Sequence, residues 1–361
     1  MNADTSILPT IIALVMAVAI NGYLLLGGAD FGGGVWDLLA SGPRRARQRA
    51  LIADSIGPVW EVNHVWLILV VVLLFSCFPS VFAIISVELH IPLTLMLIGV
   101  VLRGSAFTFR TYDAHHDDVQ RRWGLVFSIS SVLTPALLGI CVGAIASGAV
   151  ARASHLEGVS FAARFIAPWA NPFVLTLGVL TLALCAFLAA VYLTYEAGED
   201  VQLQDDFRRR AFGAAGVVFV AAFGALALSG TYAPNVRRTM GTFDVSFLLH
   251  LATGAFVVFA ILALMRRSYR VARVFAAAHV SCFVWGWAFS TYPWILPPDV
   301  TFVAAAAPDA VLELILVALA LGALVLAPSL VWLFRVFKRQ PAAFDDLHEE
   351  TTGEFHAPNP P

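Results

Sequence analysis

Charge is what this sequence has least of. Of its 361 residues only 13% are Asp, Glu, Lys or Arg, while 60% are hydrophobic and the mean hydropathy is +0.83. A soluble domain averages about 25% charged residues, so this chain lacks the polar surface to coat a water-soluble globule. The same composition excludes disorder over the bulk of the chain. The net charge of −2 gives no electrostatic footprint for nucleic acid. Cysteine is scarce as well: Cys77, Cys141, Cys185 and Cys282 stand singly inside apolar runs. Without a CxxC pair or a Cys/His cluster, zinc, iron–sulfur and disulfide-scaffold readings fall away. The thiols read as small core residues. No Lys or Arg occurs in the first six residues, and a long apolar run follows. The N-terminus is therefore expected to enter a spanning helix rather than a cleavable signal peptide.

What the chain has in abundance is apolar runs long enough to cross a bilayer, which takes about 20 residues. Nine segments qualify: 7–27, 59–85, 88–110, 124–148, 170–194, 211–230, 246–266, 272–293 and 310–336. The weakest boundary is between the second and third, where Pro79 interrupts; residues 81–85 either extend the span or lie in the interface. These spans are expected to form one helical domain over 1–339. The tail at 340–361, rich in Pro, Asp and Glu, is expected to be disordered. Arginine and lysine then assign the sides. Arg44, Arg45, Arg47, Arg49, Arg110, Arg121, Arg122, Arg208, Arg209, Arg210, Arg266, Arg267, Arg270, Arg273, Arg335, Lys338 and Arg339 all fall on one side, against Arg152, Arg164, Arg237 and Arg238 on the other. That split predicts the N-terminus outside and the C-terminus in the cytoplasm. Trp169, Trp285, Trp287, Tyr292 and Trp294 near the outer span ends read as interfacial anchors.

An ionisable side chain inside a span costs about 2.5–3.5 kcal/mol on insertion scales, so each one is a candidate site. Asp30 follows Gly27-Gly28-Ala29, and Glu61 lies in Trp60-Glu61-Val62-Asn63-His64. The orientation above puts both acids toward the cytoplasmic boundary. Glu61 and His64 are three apart and share a helix face, the arrangement of a proton relay. A structural ion pair is the equal alternative, with Arg103 of the third span neutralising Asp30 or Glu61. The glycine string fails the G-x-G-x-x-G fingerprint, with Ala29 at a glycine position and no strand before it; close helix approach explains it better. Toward the outside lie Glu88, His90, His250, Asp309 and Glu313, of which Glu88 is the best candidate. His64, His90, His250, His279, Met16, Met96 and Met265 could by type ligate haem, but no facing pair is legible. No haem ligand, metal ligand or catalytic residue is expected in this chain.

Together these segments resemble subunit II of the cytochrome bd quinol oxidase family. The resemblance rests on Gly28-Ala29-Asp30-Phe31-Gly32-Gly33-Gly34 with Asp37-Leu38-Leu39, and on Ile56-Gly57-Pro58-Val59-Trp60-Glu61-Val62-Asn63-His64-Val65-Trp66-Leu67-Ile68. Leu89-His90-Ile91-Pro92-Leu93-Thr94-Leu95 and Val101-Leu102-Arg103-Gly104-Ser105-Ala106-Phe107 follow in register. The resemblance implies an all-α polytopic protein of two four-helix bundles plus a peripheral ninth helix, in a bacterial-type inner membrane. It implies a haem-bearing partner, subunit I, holding two b-type haems and one d-type haem, with a small accessory subunit in some members. That pair would oxidise quinol and reduce oxygen to water with cytoplasmic protons, subunit II supplying scaffold, part of the proton route and sometimes a bound quinone. The resemblance also implies proton-path roles for Glu61 and Asp30; His64 joins them by its helix spacing, and Trp60, Asn63, Arg103 and Glu88 are structural or ion-pair candidates. Where some members carry a second acid a turn before Asp30, this chain has Gly27, so His64 or water would fill that gap. The rival readings are a purely structural subunit and a secondary transporter built around Asp30, Glu61 and Arg103. Against the transporter stand the clustering of the acids at one face and the lack of a sequence repeat.

Overall fold

The computed structural model describes residues 7–56, 60–112, 117–239 and 244–337; the tail at 340–361 lies outside the described residues. In chain order the helices are α1 (Leu8–Leu38), α2 (Arg45–Ile56), α3 (Trp60–Cys77), α4 (Pro79–Glu88), α5 (His90–Tyr112), α6 (Asp117–Ala146), α7 (Ala149–Ser154) and α8 (Phe161–Phe165). They continue as α9 (Pro172–Glu196), α10 (Val201–Tyr232), α11 (Pro234–Thr239), α12 (Val245–Met265) and α13 (Tyr269–Thr291). A two-stranded antiparallel ribbon, β1 (Trp294–Leu296) and β2 (Val300–Thr301), precedes α14 (Phe302–Ala305) and α15 (Asp309–Phe337). Among the described residues eight helices are long and apolar enough to cross a membrane, or nine if the bent α3–α4 pair counts as one span. The chain forms two compact units, residues 1–309 and 310–361.

Two expected spans need correction. The first was placed at 7–27, but α1 runs on to Leu38 through the whole glycine string. Each glycine costs a helix roughly 1 kcal/mol relative to Ala, yet here the missing side chains let α1 lie directly on its neighbours. A Cβ on Gly32 would stand 2.0 Å from the Cys185 carbonyl oxygen of α9, and one on Gly34 would stand 2.2 Å from the Ser131 Cβ of α6. The second span was placed at 59–85, but the helix stops at Cys77 and resumes at Pro79 with a bend of 117°. Proline has no N–H to continue the ladder and clashes with the preceding turn, so it starts a new helix instead of extending the old one. Other ends differ modestly. The helix expected at 211–230 begins at Val201, because the Asp200 side chain caps it by accepting from the Gln202 and Leu203 backbone N–H groups.

Helix α9 is the hub of the first unit, packing against α1, α6, α10 and α13. Its buried face is built from small residues, among them Gly178, Ala183, Ala186, Ala189 and Ala190. Apolar side chains gain little by leaving lipid for protein, so helices in a membrane associate through close backbone approach. Around this hub α5 pairs with α6, α12 with α13, and α3 with α1. The result brings the second half of α1 beside α3, α6 and α9, and that crossing carries the polar site.

Candidate functional site

The buried centre of the site is Asp30 of α1. It is 4% exposed and ion-paired through Oδ1 with Nη2 of Arg103 on α5, itself 1% exposed. The guanidinium lies between two rings, 4.9 Å from the Phe31 centroid and 5.0 Å from that of Phe127 on α6. Its Nε donates to the Ser131 Oγ of α6 at 3.0 Å. Cation–π contact and one neutral acceptor thus join the Asp30 carboxylate in holding the arginine. Among the described residues the pair is not fully satisfied: Asp30 Oδ2 and Arg103 Nη1 have no hydrogen-bond partner.

His64 of α3 faces the same region. Its ring centroid is 6.2 Å from those of Tyr23 and of Phe31, and neither ring nitrogen has a partner among the described residues. Asn63 is buried, donating from Nδ2 to the Leu26 carbonyl at 3.4 Å and leaving Oδ1 unpaired. The α3 backbone begins at Trp60, but the side chains of Trp60 and Glu61 lie outside the described residues. Of the sequence candidates, then, Asp30, Arg103, His64 and Asn63 converge at the crossing of α1, α3 and α5. Glu88 does not join them. It ends α4, is 2% exposed, and accepts from Arg164 Nη2 of α8 at 2.8 Å. The Glu88 carboxylate holds the Arg164 guanidinium above its ordinary range, and Arg164 also covers the Phe165 ring at 5.2 Å.

Replacing Glu88 by Gln keeps the shape and removes the charge. Because Arg164 is partly exposed and can turn to solvent, the expected loss is only about 1–3 kcal/mol. The thermal midpoint of the purified protein would read it, and an unchanged midpoint would show that this pair does not hold α4 to α8.

Sequence reasoning missed three buried polar groups. Asp37, fully buried, accepts from Ser128 Oγ at 2.8 Å and has Arg49 Nε 3.7 Å from its Oδ1. Ser128 and Ser131 line α6 one turn apart. The signal was present: Asp37 is seven residues from Asp30, hence on the same helix face, and two serines recur at a spacing of three within an apolar run. Around the exposed end of this region, Asp206 of α10 accepts from Arg44 at 2.6 and 2.8 Å and from Gln48 at 2.8 Å, and Arg210 donates to Gln48 at 2.7 Å. That network ties α2 to α10.

Two further histidines, His250 and His279, pack between helices. His250 Nδ1 sits 2.7 Å from the Ser246 carbonyl, and His279 Nδ1 sits 2.9 Å from that of Thr253, its ring against Phe187. Two surface cavities of about 630 and 310 Å³ are lined by no His, Met or Cys. Among the described residues no three His, Cys, Asp or Glu side chains gather as metal donors.

Fold and site together define a multi-pass helical membrane protein with a buried carboxylate–guanidinium pair set among unpaired polar groups. The chain belongs to the cytochrome bd terminal oxidase subunit II family, whose profile matches residues 8–337. It is 29% identical over 216 residues to cytochrome bd ubiquinol oxidase subunit 2 of Bacillus subtilis (strain 168), covering 60% of this chain and 61% of that one. It is 24% identical over 243 residues to cytochrome bd-I ubiquinol oxidase subunit 2 of Escherichia coli (strain K12), covering 67% and 63%. These alignments span somewhat over three fifths of each relative's length. In fold it is similar to a chain of the bd oxidase from Geobacillus thermodenitrificans, with a TM-score of 0.76 and 22% identity over 92% of this chain and 99% of that one.

Proposed function

We propose that this chain acts as subunit II of a bd-type quinol oxidase that reduces oxygen to water, scaffolding a haem-bearing subunit I and carrying protons inward from the cytoplasm. The orientation read from the arginines and the arrangement of two four-helix bundles plus a peripheral helix belong to the same reading, as does a bound quinone. Haems on the partner would supply the electron transfer and oxygen chemistry; this chain's residues hold and pass protons. The observation that carries the proton role is the set of unpaired polar atoms around Asp30. Arg103 pins Oδ1 and leaves Oδ2 free, with both His64 nitrogens and Asn63 Oδ1 also unpaired. A buried polar atom without a partner costs about 1–3 kcal/mol, and water molecules, with two to four hydrogen bonds each, are the usual remedy. A wetted acid with one free oxygen can take a proton and release it. Glu61, three residues before His64 on α3, stands as the next acid on the route.

A second reading has its own observation: the Asp30–Arg103 pair is what a purely structural tie between α1 and α5 would also contain. Quinol-driven oxygen uptake by the complex carrying Glu61→Gln separates the two. With haem absorption intact, the proton role requires turnover to fall by about tenfold or more. Turnover equal to the unmodified complex would leave this chain as scaffold.

A further inference from the structure

We infer that Asp37 is the loading acid of this proton route, taking protons from the cytoplasmic side and passing them along the α1–α6 contact to Asp30; the inference rests on the proton-uptake reading above. Asp37 and Asp30 lie on one face of α1, two turns or about 10.5 Å apart along the axis. Between them comes Gly34, whose missing side chain lets Ser131 of α6 close against the helix. The two elements then interleave their polar groups. Asp37 meets Ser128 at 2.8 Å, and Ser131, one turn further along α6, meets Arg103, which holds Asp30. Ser128, Ser131, Asp37 and Asp30 are all nine-tenths or more buried, so this polar line runs through an otherwise apolar bundle.

At its outer end is Arg49 of α2, 29% exposed, which donates to the Asp37 carbonyl at 3.3 and 3.2 Å while its Nε stays 3.7 Å from the carboxylate. The arginine thus holds both the Asp37 backbone and its carboxylate, at the partly exposed end of the line. Among the described residues, Arg49 from α2 and Arg103 from α5 set positive charge along the line, and α6 contributes the hydroxyls of Ser128 and Ser131. In the transfer a proton from cytoplasmic water binds the Asp37 carboxylate. The resulting acid donates to Ser128 Oγ as that hydroxyl releases its own hydrogen inward, through water, to Asp30 Oδ2. Asp37 returns to carboxylate, and no bond other than those to hydrogen changes.

The test is oxygen uptake by the assembled complex as a function of pH, with haem spectra alongside, for Asp37→Asn, Ser128→Ala and Glu61→Gln. Asp37→Asn keeps the shape and still accepts from Ser128. The expected result is turnover lower by about tenfold or more, the alkaline limb of the pH profile displaced to lower pH, unaltered haem spectra, and partial recovery in Asp37→Glu. Normal turnover in Asp37→Asn with slow Glu61→Gln would remove Asp37 from the route while leaving proton uptake in place. Normal turnover in both would overturn the proton-uptake reading itself. If Asp37→Asn fails to assemble, Ser128→Ala decides: slowed turnover supports the line, and normal turnover overturns it.

Discussion

Asp30→Asn and Arg103→Met will each strip most of the stability from the first unit, and the two together will return part of it. The pair is sealed, at 4% and 1% exposure, between the Phe31 and Phe127 rings. Removing the carboxylate leaves an arginine that cannot shed its proton, with Ser131 as its one remaining neutral acceptor among the described residues. Breaking a buried pair in this way costs about 3–5 kcal/mol, much of it the penalty of the stranded charge. The double substitution leaves no charge to strand, and methionine fills most of the volume of the guanidinium stem. The expected result is non-additivity: the double variant is at least as stable as either single one. Thermal loss of haem absorbance in the assembled complex reads all three. Strictly additive losses would mean that Asp30 and Arg103 act on separate partners, which the ion pair does not allow.

This outcome also bears on function. If the double variant assembles but consumes oxygen slowly, the pair does more than hold helices together. If it turns over normally, Asp30 is dispensable to proton uptake, and any route has to run through Glu61 and His64 without it.

The spans were legible because each is a long apolar run, and the arginine bias needs no structure to be counted. Pairing across helices was not legible. Arg103 could be named as a partner for Asp30 or Glu61 because it is a cation in a span, yet sequence spacing does not say which acid it faces. The packing of both α1 and α5 against α6 brings Asp30 to Arg103. Asp37 escaped notice as a site because it lies at the foot of what hydropathy took for a loop. The glycines from Gly27 to Gly34 lowered the helical signal there, since their role, close approach to Cys185 and Ser131, is a property of the neighbours. The break at Pro79 was visible as a boundary, but its 117° bend is the angle at which α4 leaves α3. Ser128 and Ser131 looked like ordinary polar interruptions until α1 was laid against them.

The second large effect is expected at Gly32. A Cβ there would stand 2.0 Å from the Cys185 carbonyl oxygen and 2.7 Å from the Ala189 Cβ, both on α9. The first of these is backbone, so no rotamer change relieves it; the helices must separate. Overpacking in a tight core costs typically about 1–3 kcal/mol, and separating two helices along this contact would add lost packing for their neighbours. Gly32→Val should therefore prevent recovery of a haem-loaded complex, while Gly32→Ala assembles with a clearly lowered thermal midpoint. Because Asp30 and Gly34 flank the contact, even the alanine variant should weaken the Asp30–Arg103 site and slow turnover. Gly216 of α10 supplies the control, since a Cβ there meets nothing within 4 Å. Gly216→Ala should leave activity unchanged and raise helix stability by up to about 1 kcal/mol. If Gly32→Val assembles with a normal midpoint, α1 and α9 are not in backbone contact at Cys185, and the geometry that places Asp30 against Arg103 would have to be redrawn.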